Sequence, residues 1–295
     1  MLEKAERKTE HGILGLMAYY AVHRLPIGED EINSYIGIKT GHLAIKEALR
    51  EMVEAGKVEH DSDGYYRLAE HAYHSRADTK RRQDRLLTKA KRWGRLFGLL
   101  PFVKAVVVIN SAAIGNVRAD SDIDLLIITK PNRIYITKGI LMYSLKLLRQ
   151  LETAEHKAGR FSLGMFATTA GVNWQRDIMA VNEPDLGYRL MLAKPVYGAA
   201  VWYDLLKGSN YLQEAFPNYV WPKSQIRVYS GGMAWLDQLD NKGYRKHLKH
   251  TAGQPKMHTK AAFVRVRPDI LNLHALDQTG RIAREYKRIH KSVDK

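Results

Sequence analysis

Residues 105–109 and 125–127 are short apolar runs rich in Val, Ile and Leu, and the fifteen-residue interval between them, 110–124, limits how the chain can fold. Runs of this length, bounded by Asn and Gly turn residues, read as β-strands. Asn110-Ser111 closes the first, and Asp122-Ile123-Asp124 opens the second. Alternate side chains of a strand share a face, so Asp122 and Asp124 point together while Ile123 and Leu125 turn to the opposite side and its core. The sequence thus places two carboxylates at metal-binding separation beside a turn that carries a serine. Hard oxygen donors of this kind suit Mg²⁺ (or Mn²⁺), which one or two carboxylates hold together with substrate phosphates. The implied chemistry is phosphoryl or nucleotidyl transfer.

The pattern is Ile109-Asn110-Ser111, a spacer over 112–121, then Asp122-Ile123-Asp124-Leu125-Leu126. It resembles the DNA polymerase β-like nucleotidyltransferase superfamily, in which a hydrophobic residue, Gly, and Gly or Ser precede Asp-hydrophobic-Asp. The run Asp120-Ser121-Asp122-Ile123-Asp124-Leu125 is similar to stand-alone bacterial members. The resemblance implies Asp122 and Asp124 as metal ligands, Ser111 as catalytic, and Asn110, Ser111 and Ser121 as nucleotide-binding residues. The substrate it implies is a nucleoside triphosphate. Two departures accompany it. The usual Gly is Asn110, whose side chain fills space where a phosphate should approach, although Asn tolerates φ > 0 better than most residues. No third carboxylate stands on the next candidate strand, 160–168, and Asp177, Glu183 and Asp185 follow it with no spacing that selects one. The general base is therefore unassigned.

The organisation of the rest follows from periodicity. Helical spacing over 10–23, 29–36 and 40–55, then a hairpin with Asp61-Ser62-Asp63-Gly64 at its turn, resembles a winged helix. The third helix mixes Lys39, His42, Lys46 and Arg50 with Glu47, Glu51 and Glu54, and the wing tip carries Asp61 and Asp63. That near-neutral face does not favour DNA reading, and dimerisation, substrate docking or protein contacts are equal alternatives. Thr40 is a plausible cap for that helix. Residues 134–151 read as a helix, 160–168 as a strand, and 188–198 as a helix ending at Lys194-Pro195, where Lys194 is a candidate to cap the C-terminus or, less commonly for such a residue, to bind phosphate.

The expected fold is α/β (α+β): a winged-helix domain over 1–72, a basic linker helix over 73–98, a mixed-sheet nucleotidyltransferase core over 99–225, and a basic, mostly helical region over 226–295. Forty-seven Lys and Arg against 31 Asp and Glu give a net charge of +16. The excess concentrates in 80–95 and 242–295, which makes RNA or DNA the expected partner of those segments. Phe263, Arg265, Arg267 and Tyr286 are candidates to stack along RNA, although burial is the commoner fate of aromatics. Cysteine is absent, which excludes disulfides and thiol chemistry. The first apolar run, 12–22, is too short for a bilayer, so a cytoplasmic protein with no membrane partner is expected. Two functions follow: Mg²⁺-dependent transfer of a nucleoside monophosphate to an unidentified hydroxyl, or, with catalysis impaired, nucleic-acid or protein binding through the basic surface and winged helix.

Overall fold

The chain is mixed α and β, with eleven helices and two sheets among the described residues. The computed structural model describes residues 2–170, 184–223, 234–252, 265–272 and 278–293.

The N-terminal part runs α1 (Leu2–Val22), β1 (Ile27–Gly28), α2 (Glu29–Tyr35), α3 (His42–Glu54), β2 (Val58–His60) and β3 (Tyr65–Leu68), with β3 central in an antiparallel sheet ordered β1-β3-β2. The two-residue β1 is too short to give a period and was invisible to sequence reading. At the hairpin, Asp61 Oδ1 accepts hydrogen bonds from the backbone N–H groups of Asp63 (3.0 Å) and Tyr65 (2.9 Å), and Gly64 supplies φ +82°. Gly41, not Thr40, is the N-cap of α3. The Thr40 backbone instead pairs with the Asn218 side chain, which accepts from its N–H at 3.4 Å and donates to its C=O at 2.9 Å.

A second sheet forms the centre of the molecule. Its strands are β4 (Val103–Val108), β5 (Ile123–Thr129), β6 (Phe161–Thr168), β7 (Lys194–Tyr197), β8 (Arg265–Val266) and β9 (Ile270–Asn272), in the order β7-β4-β5-β6-β9-β8. Only β5 and β6 run parallel; the remaining pairs are antiparallel. Residues 265–272 thus extend this sheet. Strand β4 tolerates Lys104 because the register shifts between Val103 and Ala105.

Period-two alternation in β5 divides the apolar core. Ile123, Leu125 and Ile127 pack toward α4 (Arg76–Phe97) and α6 (Ile134–Leu147). Leu126 and Ile128 face the other way, into a core shared with α1–α3, α7 (Pro184–Leu192), α8 (Ala199–Lys207), α9 (Asn210–Ala215) and α11 (Gln278–Val293). Helix α10 (Ala234–Ala252) lies on α6, where buried Asp240 accepts from Ile136 N–H at 2.8 Å near the α6 start. Helix α6 stops at Leu147, four residues earlier than its periodicity suggests, and Arg149 then turns the chain with φ +54°.

Lys194 is not a helix cap. Helix α7 ends at Leu192, and Lys194-Pro195 opens β7, an edge strand, where a proline's missing N–H is tolerated. The basic segment read as a linker is α4, laid against β7: a Cβ on Gly94 would sit 3.0 Å from Val196, and Tyr197 donates to the Gly98 carbonyl at 3.3 Å.

Gly198 joins β7 to α8 with φ +64°, and a Cβ there would lie 1.9 Å from the Lys104 carbonyl oxygen. Gly198→Ala is therefore expected to lower stability by more than about 3 kcal/mol in urea unfolding, because strain and a backbone clash combine. Gly139→Ala, in α6 with open space around the new methyl, should raise it by ~0.5–1 kcal/mol. Equal effects at the two positions would refute this account of the β7–α8 turn.

Candidate functional site

The site is built where β4 ends and β5 begins. Ile109 N–H donates to the Asp124 carbonyl at 3.0 Å, holding the two strands together to their last residues. The chain then leaves the sheet through Asn110, whose φ is +57°. This is the left-handed conformation for which glycine is the usual residue and asparagine the best substitute. Residues after it form not a loop but one helical turn, α5 (Asn110–Ile114), closed by Gly115 at φ +99°. Ala112, Ala113 and Ile114 anchor α5 in the core. Ser111 is half-buried, and its hydroxyl has no hydrogen-bond partner among the described residues.

Asp122 lies immediately before β5, and Asp124 is its second residue. Both share the face of Leu126 and Ile128, as strand alternation requires, and both are half-buried. The Asn110 side chain reaches this pair: its Nδ2 donates to Asp124 Oδ2 at 3.0 Å. Ser121, next to Asp122 in the chain, has partners of its own. Its hydroxyl accepts from the Arg118 N–H at 2.9 Å and its carbonyl from the Gly159 N–H at 2.8 Å, so it braces the turn before Asp122.

A third acid enters from an unexpected direction. Strand β6 has none: the residue in register with Asp124 is Ser162, which is buried. Glu152 arrives instead from the segment that returns the chain from α6, where Leu151 forms a parallel bridge with Phe161 and Glu152 N–H donates to the Phe161 carbonyl at 3.0 Å. Its carboxyl shares a hydrogen bond with Asp122. Because β5 and β6 are parallel, the crossover through α6 must come back to the end of the sheet where Asp122 lies. An acid in the segment that returns from α6 to the second of two parallel strands, nine residues ahead of that strand, was the available signal. Asp177 and Glu183 lie outside the described residues, and Asp185 falls in the first turn of α7.

Burial pushes the Asp122 carboxyl up to about 8, with the Glu152 hydrogen bond and the negative charges of Asp124 and Glu152 acting in the same direction. A divalent cation would relieve this crowding. Asp122 and Asp124 offer the hard oxygen donors that Mg²⁺ or Mn²⁺ accepts, and a site completed by substrate phosphates needs no more than two. Among the described residues no group of three or more His, Cys, Asp and Glu is placed so that it could hold a metal ion.

The basic segments have different surroundings. In α4, Arg81, Arg82, Arg85, Lys91, Arg92 and Arg95 are exposed. In α11, Ile282, Ala283 and Ile289 are buried while Arg284, Lys287, Arg288 and Lys291 face outward. Tyr286 stacks on His290 and lies against Gly15 of α1, and Arg267 is paired with Asp269 at 2.9 Å. Phe263 lies outside the described residues. Among the described residues no helix is long and apolar enough to cross a membrane.

Comparisons with protein-family models, curated proteins and solved structures find no match to this chain.

The raised Asp122 carboxyl sets the sign of a pH effect. With an ordinary unfolded value near 3.8 and a folded value of about 8, the folded state binds the extra proton, so stability from this group falls as pH rises from about 4 to about 8. Urea unfolding of Asp122→Asn, compared with the unsubstituted protein at pH 5 and pH 8.5, should show the variant gaining relative stability at the higher pH. Saturating Mg²⁺ at pH 8.5 should stabilise the unsubstituted protein and leave the variant nearly unchanged. Parallel pH profiles would remove the carboxylate crowding from consideration.

Proposed function

We propose that this protein is a Mg²⁺-dependent nucleotidyltransferase of the polymerase β-like type, with a winged-helix unit ahead of its catalytic sheet. The observation that carries the reading is the convergence of Asp122 and Asp124 on one face beside a left-handed Asn110 and a Ser111 hydroxyl without an internal partner. The N-terminal order of helix, strand, two helices and hairpin supports the winged-helix assignment.

In this reading Asp122 and Asp124 hold the cation. When bound there, the cation would neutralise charge on the triphosphate and would lower the pKa of the attacking hydroxyl. Ser111 and the backbone around it orient the β- and γ-phosphates. Glu152, hydrogen-bonded to Asp122, is the acid best placed to receive the hydroxyl proton. The deprotonated oxygen forms a bond to the α-phosphorus as the bond from that phosphorus to the β-phosphate oxygen breaks, and pyrophosphate leaves. Asn110 has two consequences. It supplies the backbone conformation the turn requires, and its amide occupies Asp124 Oδ2, which a cation must share or take over.

That second consequence is the specific observation behind the other reading, a catalytically impaired relative that binds nucleic acid or a protein. Calorimetry separates the two. Titration of each NTP in Mg²⁺ should show binding that disappears in Asp122→Ala/Asp124→Ala, and no NTP binding by the unsubstituted protein would defeat the transferase reading. Asn110→Gly keeps access to φ > 0 and frees Asp124, so Mg²⁺–NTP affinity should rise by about fivefold, the worth of one modest hydrogen bond. Asn110→Ala loses the left-handed tolerance and should instead destabilise the fold by ~1 kcal/mol.

A further inference from the structure

We infer that one flank of α4 is a track for a single-stranded polynucleotide, leading its terminal hydroxyl toward Asp122 and Asp124. The inference rests on the transferase reading for the fate of that hydroxyl; the track itself rests on α4.

Helix α4 faces the core through Thr79, Ala90, Gly94 and Phe97. Arg82, Arg85, Lys89 and Arg92 follow one another at spacings of three, four and three, so they form a single stripe beside that buried face. Lys89 fixes where the stripe lies. Its ammonium donates to the Gly159 carbonyl at 2.6 Å and sits 5.2 Å from the Phe161 ring centroid. Gly159 N–H in turn donates to the Ser121 carbonyl at 2.8 Å, and Ser121 precedes Asp122. A continuous set of contacts therefore joins the middle of α4 to the candidate carboxylates.

Arg82, Arg85 and Arg92 are exposed and make no ion pair among the described residues. Asp84, the acid within this part of the helix, is engaged by Lys80 at 3.7 Å on the opposite flank, and Asp78 stands at the far end of the stripe. Beyond Gly159, Lys157 and Arg160 line an open depression of about 430 Å³, where Asp120 and Glu155 balance their charge, so the cationic stripe is confined to α4. From Arg82 to Arg92 the helix rises about 15 Å, enough to follow a few nucleotides. A single row of cations matches the phosphates of one strand. The element suited to reading a duplex offers no such charge, since Glu29 pairs with both His42 (2.8 Å) and Lys46 (3.7 Å) of α3.

Fluorescence anisotropy of the full chain with labelled 20-nucleotide oligo(U) RNA, oligo(dT) DNA and a 20-base-pair duplex tests the track between 50 and 200 mM salt. Arg82→Gln/Arg85→Gln/Arg92→Gln should weaken strand binding by tenfold or more at the lower salt. It should also reduce the slope of log Kd against log salt by about 2, three phosphate contacts at ~0.7 each. Lys80→Gln/Lys91→Gln/Arg95→Gln removes the same charge from the other flank and should change affinity less than about threefold by the same accounting. Equal losses in the two triple variants, tighter binding of the duplex than of either strand, or no strand binding by the unsubstituted protein would each overturn the track. Asp122→Ala/Asp124→Ala should bind the strand normally. Strand binding without NTP binding would leave the track standing and remove the transferase reading, whereas NTP binding without strand binding would do the reverse.

Discussion

Strand β5 is buried on both faces, and the position of each candidate site group follows from that. Hydrogen-bonded to β4 on one side and to β6 on the other, it presents Ile123, Leu125 and Ile127 to one core and Leu126 and Ile128 to the other. A strand held this way cannot slip by one residue without exchanging its two apolar sets. Asp122 and Asp124 are the first members of one set, placed where the strand emerges, so their shared orientation costs no separate device. The same pairing delivers Glu152, since a parallel neighbour obliges the crossover to return to the end where Asp122 stands.

Much of this was legible from spacing alone. Alternation around 122–128 gave the strand, its faces and the shared side of the two aspartates, because period-two patterning is a direct consequence of backbone geometry. The helices of the N-terminal part were readable for the same reason with a different period. Glu152 and β7 were not. Glu152 is in no regular element, and its proximity to Asp122 comes from the return path of a crossover whose helix ends early at Leu147. Lys194-Pro195 reads as the end of a helix, and only the vacant edge of β4 makes it a strand. The short strands at 265–272 have the same origin: they form because β6 has a free edge, information held in the sheet rather than in those residues.

Asn110 shows how a departure from a familiar pattern divides into separable parts. Asn110 adopts the φ > 0 that glycine would otherwise supply at this turn. The side chain that remains is hydrogen-bonded to one of the two acids it adjoins, so the substitution is integrated into the site's polar network.

The seating of α11 against α1 bears on how the protein is made. His11 and His290 meet edge to face at 4.9 Å, and Tyr286 and His290 lie over Gly15, beside a helix whose Ile13, Leu16 and Met17 are wholly buried. On a ribosome working at ~5–20 residues per second, the partner of α1 follows it by roughly 280 residues, a delay on the order of 15–55 s. Throughout that interval the first helix has part of its apolar surface without the cover it has in the finished molecule. The packing of the first helix is thus completed only after residues 278–293 have been made.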